Sequence, residues 1–348
     1  MRSQKTINAD LCHEILWKNM EQSLRARKDR QSFEEWKGAI REKFIELTGF
    51  DKVAANKCPL NVQIEWGEEK EAHRLIRFTF ESEVGEIVPC YLCIPKTGKK
   101  KYPVAIVLQG HSTGFHNSIG EVRTAADEEF QPQDEYALQA VKNGFIALAI
   151  EQRGMGERKP TSEMRFKDVM CRYASLVALQ LGRTILAERI WDVKKAIDAL
   201  QAFPECDLDK ILITGHSGGG TTSYYAACMD ERIKLSVPNC SFCPYEESIL
   251  DNIHCNCNYI PSAYRYFDMP DLSCMLAPRR LVVIAGQKDD IFPIEGVRRG
   301  FKRTKSLYEE AGAAENCRMI ETPSAHAWTP EVSWRAIREE AEKLGWRL

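Results

Sequence analysis

Hydrophobic residues recur along the chain in three different rhythms. Up to about residue 50 they keep helical spacing: Leu11, Ile15 and Leu16 share a face, and Phe33, Trp36, Ile40, Phe44 and Ile45 form a second stripe. From residue 61 the period becomes two. Ile76, Phe78 and Phe80 alternate with Arg77, Thr79 and Glu81, and the turn Glu83-Val84-Gly85-Glu86 leads into 87–94, which predicts a β-hairpin with one half-buried face. Short continuous apolar runs follow at 104–108, 145–150, 211–214, 233–237, 281–285 and, more weakly, 318–321. Runs of this kind suit parallel strands buried on both faces. Helical segments lie between them; in the clearest, Ile190, Val193, Ile197 and Leu200 make one stripe while Asp192, Lys194, Lys195 and Asp198 are expected to face water.

Strands alternating with helices imply right-handed crossovers and the α/β class. The expected architecture is a mostly parallel, doubly wound sheet with an N-terminal antiparallel hairpin. A helical N-terminal extension (1–58) precedes the main domain (59–348). Two segments break the rhythm, at about 112–132 and 239–276. Loops this long inside a compact domain usually carry function.

The run 211–214 ends in Gly215-His216-Ser217-Gly218-Gly219 and is followed by a small-residue helical segment. Gly-x-Ser-x-Gly between a strand and a helix is a nucleophile elbow, a sharp turn that lifts one serine hydroxyl above the sheet edge. Serine is a weak nucleophile at neutral pH and needs a histidine base with an acid to orient it. After the run 281–285 the chain reads Gly286-Gln287-Lys288-Asp289-Asp290, and after the last weak strand Thr322-Pro323-Ser324-Ala325-His326. Ser217, Asp289 and His326 thus fall in the order nucleophile, acid, base, with Asp289 favoured over Asp290. The base assignment is narrow, because His254 is the only other histidine downstream of Ser217 and lies ahead of the acid. An oxyanion formed on acyl transfer would find donors in the backbone N–H of Gly218 and that of His111, in the run Gln109-Gly110-His111.

Gln109-Gly110-His111, Arg153-Gly154-Met155-Gly156, the elbow, Gly286-x-x-Asp289 and His326 together resemble the α/β-hydrolase superfamily, more narrowly its acetyl-xylan-esterase-like and dienelactone-hydrolase-like branch. Asp230-Glu231-Arg232-Ile233-Lys234 and Ala277-Pro278-Arg279-Arg280 are similar to the same branch. The resemblance spans roughly 60–348 and implies a serine carboxylester hydrolase with an acyl-enzyme, with acetylated carbohydrates as a candidate substrate class. Ser217 stands where dienelactone hydrolases usually carry cysteine, which favours ordinary esters. The alternatives are a serine peptidase of the same superfamily and a non-catalytic ligand-binding protein on this scaffold.

Composition narrows the partners. Of 348 residues, 44% are hydrophobic and 28% charged, and the formal net charge is -2. This offers no basic surface for nucleic acid, and no run is apolar enough to span a bilayer. A neutral or weakly charged ester is the expected substrate, with no cofactor, and the N-terminal stripes offer surface for a homo-oligomer. Thirteen cysteines, an odd number, read as reduced core residues of a cytoplasmic protein.

The insertion 239–276 is rich in aromatics, and Tyr245 and Tyr264 from it, with Phe115 and Trp328, are candidate substrate contacts. The same insertion holds Cys240-x-x-Cys243 and His254-Cys255-Asn256-Cys257. That spacing departs from paired zinc ligands, so no metal is expected. Cys90 and Cys93 fall within one strand, on opposite faces, and form neither a metal nor a redox site.

Overall fold

The computed structural model describes residues 10–159 and 171–348. Helices α1 (Leu11–Lys18), α2 (Phe33–Thr48) and α3 (Phe50–Ala55) come first. They precede strands β1 (Gln63–Glu69), β2 (His73–Glu83), β3 (Glu86–Pro95) and β4 (Tyr102–Leu108). Then follow α4 (Tyr136–Lys142), β5 (Ile146–Ile150), α5 (Arg172–Gln180), α6 (Ile185–Ala199), β6 (Cys206–His216), α7 (Gly218–Met229) and β7 (Ile233–Asn239). The chain ends with β8 (Arg280–Gly286), α8 (Ile294–Glu310), β9 (Cys317–Thr322) and α9 (Pro330–Lys343).

All nine strands join one sheet in the order β1-β2-β3-β5-β4-β6-β7-β8-β9. β1, β2 and β3 pair antiparallel and β3 meets β5 antiparallel; from β5 to β9 every pairing is parallel. This is the layout expected from the apolar runs, with β1 added at an edge whose residues are all exposed. The side-chain alternation of β4 shows why its run is continuous. Val104, Ile106 and Leu108 enter one core, while Ala105 and Val107 enter the other. The first core lies under α2, α6, α7 and α8; the second lies under α4 and α9. Cys90 and Cys93 likewise divide between the two faces. No helix among the described residues is long and apolar enough to cross a membrane.

The second N-terminal stripe is packing surface: Trp36, Ile40 and Phe44 of α2 are fully withdrawn into the main core, while Leu11, Ile15 and Leu16 of α1 stay exposed. Phe44 stacks on Tyr225 of α7, with ring centroids 5.6 Å apart. Ser32 and Glu35 close a capping box at the start of α2, and Gly49 ends it in the left-handed region. Arg41 reaches the last carbonyls of α7, donating to Met229 O at 3.2 Å. One expectation changes, at α6, where Asp192 is buried and does not face water. It receives Arg153 in a bidentate pair at 2.8 and 2.9 Å and also Arg158 at 2.8 Å. Helical periodicity cannot anticipate this, since the cations come from the loop after β5.

Phe44→Ala removes a fully buried ring that joins α2 to α7, so it should lower unfolding free energy by about 3–5 kcal/mol. Urea denaturation checks this; a change below about 1 kcal/mol would mean α2 is a detachable extension after all.

Candidate active site

The six parallel strands end at one edge, where the loops after β4, β6, β7, β8 and β9 meet. At the end of β6 the chain turns sharply at Ser217. Ser217 holds φ 54° and ψ −122°, a region that side chains other than glycine rarely occupy. Its N–H donates to Asn239 O of β7 at 3.0 Å, and its carbonyl accepts the Thr221 N–H at 2.8 Å. Helix α7 then descends against the end of β4. A Cβ on Gly219 would come within 2.1 Å of Leu108 O, so only glycine permits that approach.

Asp289 and His326 are brought together by main-chain bonds between their loops. Gln287 N–H donates to Thr322 O at 2.8 Å and Lys288 N–H to Ser324 O at 3.0 Å, fixing the β8 turn against the loop after β9. His326 Nδ1 lies 2.9 Å from Asp289 Oδ2. The other carboxylate oxygen of Asp289 accepts the N–H groups of Ile291 at 2.9 Å and Phe292 at 3.0 Å. Burial opposes the Asp289 charge, but the His326 hydrogen bond and the two N–H donors outweigh it and hold the carboxyl below its ordinary range. Asp290 is exposed, and its carbonyl, not its carboxylate, is engaged, by Asn252. The imidazole of His326 stacks on Phe292 (centroids 5.9 Å apart, 18° between planes) and leans on His216 at 4.8 Å. Burial, followed by the neighbouring His326, pushes His216 down to about 3, so it is a neutral ring.

Ser217, His216 and His326 line one cavity of about 510 Å³ together with Gly110, His111 and Ser112 from the loop after β4. Ser217 Oγ has no hydrogen-bond partner among the described residues. The loop after β4 passes close to the nucleophile: a Cβ on Gly110 would lie 3.2 Å from Ser217 Cβ. The His111 ring rests on the start of α7, where a Cβ on Gly218 would be 3.0 Å from His111 Cε1. Buried polar groups hold this loop. Glu151 at the end of β5 accepts Gln109 Nε2 at 2.6 Å and the N–H of Phe115 at 3.2 Å. Gln152 Nε2 donates to Gln109 O at 2.7 Å and takes the Thr222 hydroxyl of α7 on its carbonyl oxygen at 2.7 Å.

An Abhydrolase family model matches residues 9–336, nearly the whole chain. The chain belongs to this family. The protein named "Putative hydrolase YtaP" of Bacillus subtilis (strain 168) is 27% identical over 288 residues, covering 81% of this chain and 92% of that one. A crystal structure described as a putative acetyl xylan esterase from Bacteroides fragilis NCTC 9343 superposes with a TM-score of 0.79 at 17% identity, covering 98% of this chain and 97% of that one. A glucuronoyl esterase from Solibacter usitatus gives 0.65 at 16% identity, covering 93% and 98%. At these identities the structures speak to the fold.

The wall of this Abhydrolase cavity differs from the one expected. Trp328 lines it, with its indole N–H on Gln139 at 3.0 Å. The other three aromatics do not. Phe115 is buried beneath the loop, stacked on Tyr91 at 4.5 Å. Tyr245 is buried with its hydroxyl 2.8 Å from that of Tyr225, and Tyr264 donates to Glu246 away from the cavity. Their places are taken by Phe130, Ile253, Ile291 and Phe292, with Glu129, Gln133 and Asp134 as further polar lining. Phe292, three residues past Asp289, was within reach of sequence reasoning, because the loop after the acid must face the base.

The cysteine-rich insertion also divides. Cys240 faces Ala327 O at 3.6 Å, and His254 pairs with Ser248 at 2.8 Å. Cys255 and Cys257 turn instead toward His111 and Cys171.

The depressed Asp289 pKa carries a stability signature. A lowered carboxyl contributes stability that is fully present above its unfolded value of about 3.9 and is lost as pH falls through the lower folded value. The stability difference between wild type and Asp289→Asn should therefore be largest near neutrality and shrink below about pH 4. Urea midpoints measured across that range test it; a pH-independent difference would refute the ionised Asp289 carboxylate.

Proposed function

We propose that the protein is a serine carboxylester hydrolase in which Ser217, His326 and Asp289 act as nucleophile, base and orienting acid. The observation that carries this reading is the Asp289–His326 hydrogen bond at the rim of the cavity that also holds the strained Ser217. Asp289 fixes the imidazole with its Nδ1 proton toward the carboxylate. Nε2 is then left to take the Ser217 proton once substrate closes the gap, since such bonds tighten in the substrate complex.

In the first step Ser217 Oγ attacks the ester carbonyl and its proton passes to His326. The N–H groups of Gly218 and His111 receive the oxyanion, and the alcohol leaves with the proton from His326. Water, deprotonated by the same imidazole, then attacks the acyl-serine, and the acid departs. Asp289 stabilises the imidazolium formed in both steps.

The cavity suits an ester on a sugar ring. Trp328 and Phe292 give its lining aromatic rings, and Glu129, Gln133 and Asp134 give it hydrogen-bond partners for hydroxyls. Burial raises the Asp134 carboxyl to about 6 despite the Tyr136 hydroxyl bonded to it. The names of the solved relatives, acetyl xylan esterase and glucuronoyl esterase, point the same way. A reducing compartment such as the cytoplasm fits thirteen cysteines that are all free.

Ser217→Ala should lower kcat on p-nitrophenyl acetate by at least about 10³-fold and abolish fluorophosphonate labelling. Asp289→Asn should cost about 10⁴-fold, by analogy with other triads, while Asp290→Asn stays near wild type. Equal, small losses in the two aspartate variants would remove Asp289 from its role. Release of acetate from acetylated xylo-oligosaccharides, with no cleavage of peptide anilides, separates this reading from a peptidase.

A further inference from the structure

Beside the catalytic cavity, three remote segments bring one imidazole and three thiols together. His111 comes from the loop after β4, Cys171 from the turn that starts α5, and Cys255 and Cys257 from the insertion after β7. Their ligand atoms all lie within 4.8 Å of one another. His111 Nε2 is 3.3 Å from Cys171 Sγ and 3.5 Å from Cys257 Sγ, and the Cys171 and Cys255 sulfurs are 2.7 Å apart. Cys171 and Cys257 are buried.

We propose that His111, Cys171, Cys255 and Cys257 bind one zinc ion as a closed, tetrahedral Cys₃His site. The donor set is soft and wholly protein-derived, the combination that selects zinc and leaves no open position for substrate. With Zn–S about 2.3 Å and Zn–N about 2.0–2.1 Å, tetrahedral donors stand roughly 3.5–3.8 Å apart. The imidazole already meets two sulfurs at nearly that separation. Cys171 and Cys255 open by about 1 Å around the ion.

Charge supplies the second, independent argument. Arg189 is 2% exposed. Its Nε and Nη2 donate to Arg153 O at 3.2 and 2.7 Å, and the Cys257 and Cys171 sulfurs stand near enough to favour its charged form. Among the described residues no carboxylate stands within ion-pair range of it. A nearby anion offsets the desolvation cost of a buried guanidinium. Zinc with three thiolates and a neutral imidazole carries a net charge of −1, and supplies it. Binding expels three thiol protons to solvent and changes no oxidation state. A Cys171–Cys255 disulfide would remove two of the three thiolates and leave only Cys257 and His111 as possible ligands, so the two states are distinguished by metal content.

The site would be structural and would pin the oxyanion loop to the insertion that roofs the cavity. It stands or falls independently of ester hydrolysis, because its test reads metal. Full-length protein purified in reducing, chelator-free buffer with zinc in the medium should contain one zinc per chain by elemental analysis. X-ray absorption should show three sulfurs at about 2.3 Å and one nitrogen at about 2.0 Å. Cobalt(II) in place of zinc should give intense thiolate charge-transfer absorption in wild type. Cys171→Ser and Cys257→Ser should lose the metal, whereas Cys12→Ser keeps it. The cobalt spectrum of wild type does not depend on those variants folding. Wild type that takes up neither metal, or that shows a Cys171–Cys255 disulfide in reducing buffer, overturns the proposal.

Discussion

The backbone of Ser217 is the constraint on which the rest depends. Holding a serine at φ 54° costs on the order of 1–3 kcal/mol, so the surroundings must over-determine it. They do so from three directions. β7 takes its N–H through Asn239, α7 takes its carbonyl through Thr221, and the end of β4 presses on Gly219. Every residue of α7 is buried, so the helix cannot shift to relieve the turn. The adjacency of β4 and β6 in the sheet then brings Gly110 beside the serine. Strand order, and not local sequence, decides that the loop after β4 is the one facing the nucleophile.

That loop is held by polar groups more than by packing. Glu151 is fully buried, and burial lifts its carboxyl to about 7 although two backbone N–H groups point at it. A carboxyl in so dry a place is retained at a cost, and its bonds to Gln109, Phe115 and Glu157 explain what it does there. Just beneath, Arg153 joins Asp192, Glu83 and Ser82, tying the loop after β5 to α6 and to the hairpin. Breaking one partner of such a buried group leaves the other uncompensated, which makes the network stiff even where its net stabilisation is small. Under the proposed mechanism, this stiffness would hold the candidate backbone donors in place before substrate arrives.

Most of the sheet was legible in the amino-acid pattern, because doubly buried parallel strands must be continuously apolar, and 104–108 and 211–214 are. The elbow and the residues Asp289 and His326 were legible for another reason: strained turns and buried acids need particular residue types at strand ends. What stayed hidden depends on distance in sequence. Asp192 looked solvated, since its arginine partners lie 34 and 39 positions away. Phe115, Tyr245 and Tyr264 looked like cavity aromatics because burial beneath a loop and exposure on its surface leave the same composition. β1 escaped as a distinct strand because its residues, all exposed, carry no inward face. The grouping of Cys171 with Cys255 spans 84 positions and no local motif announces it.

His111 gathers these threads. Its backbone is the candidate second oxyanion donor, its ring lies against the first residue of α7, and its Nε2 faces the thiols of α5 and the insertion. A loop residue with three such attachments has little freedom left, and freedom is what an oxyanion donor must lack. A donor that has to be ordered during the reaction spends part of its interaction on ordering, whereas a pre-set one applies it to the developing charge. Metal ligation through the side chain would fix the ring plane in a way packing alone does not, because a tetrahedral ion sets direction as well as distance. Placing a zinc ligand next to an oxyanion donor then has a physical rationale independent of any metal chemistry. The ion would serve as a rivet for the one loop that strand adjacency brings to the nucleophile but cannot by itself hold rigid.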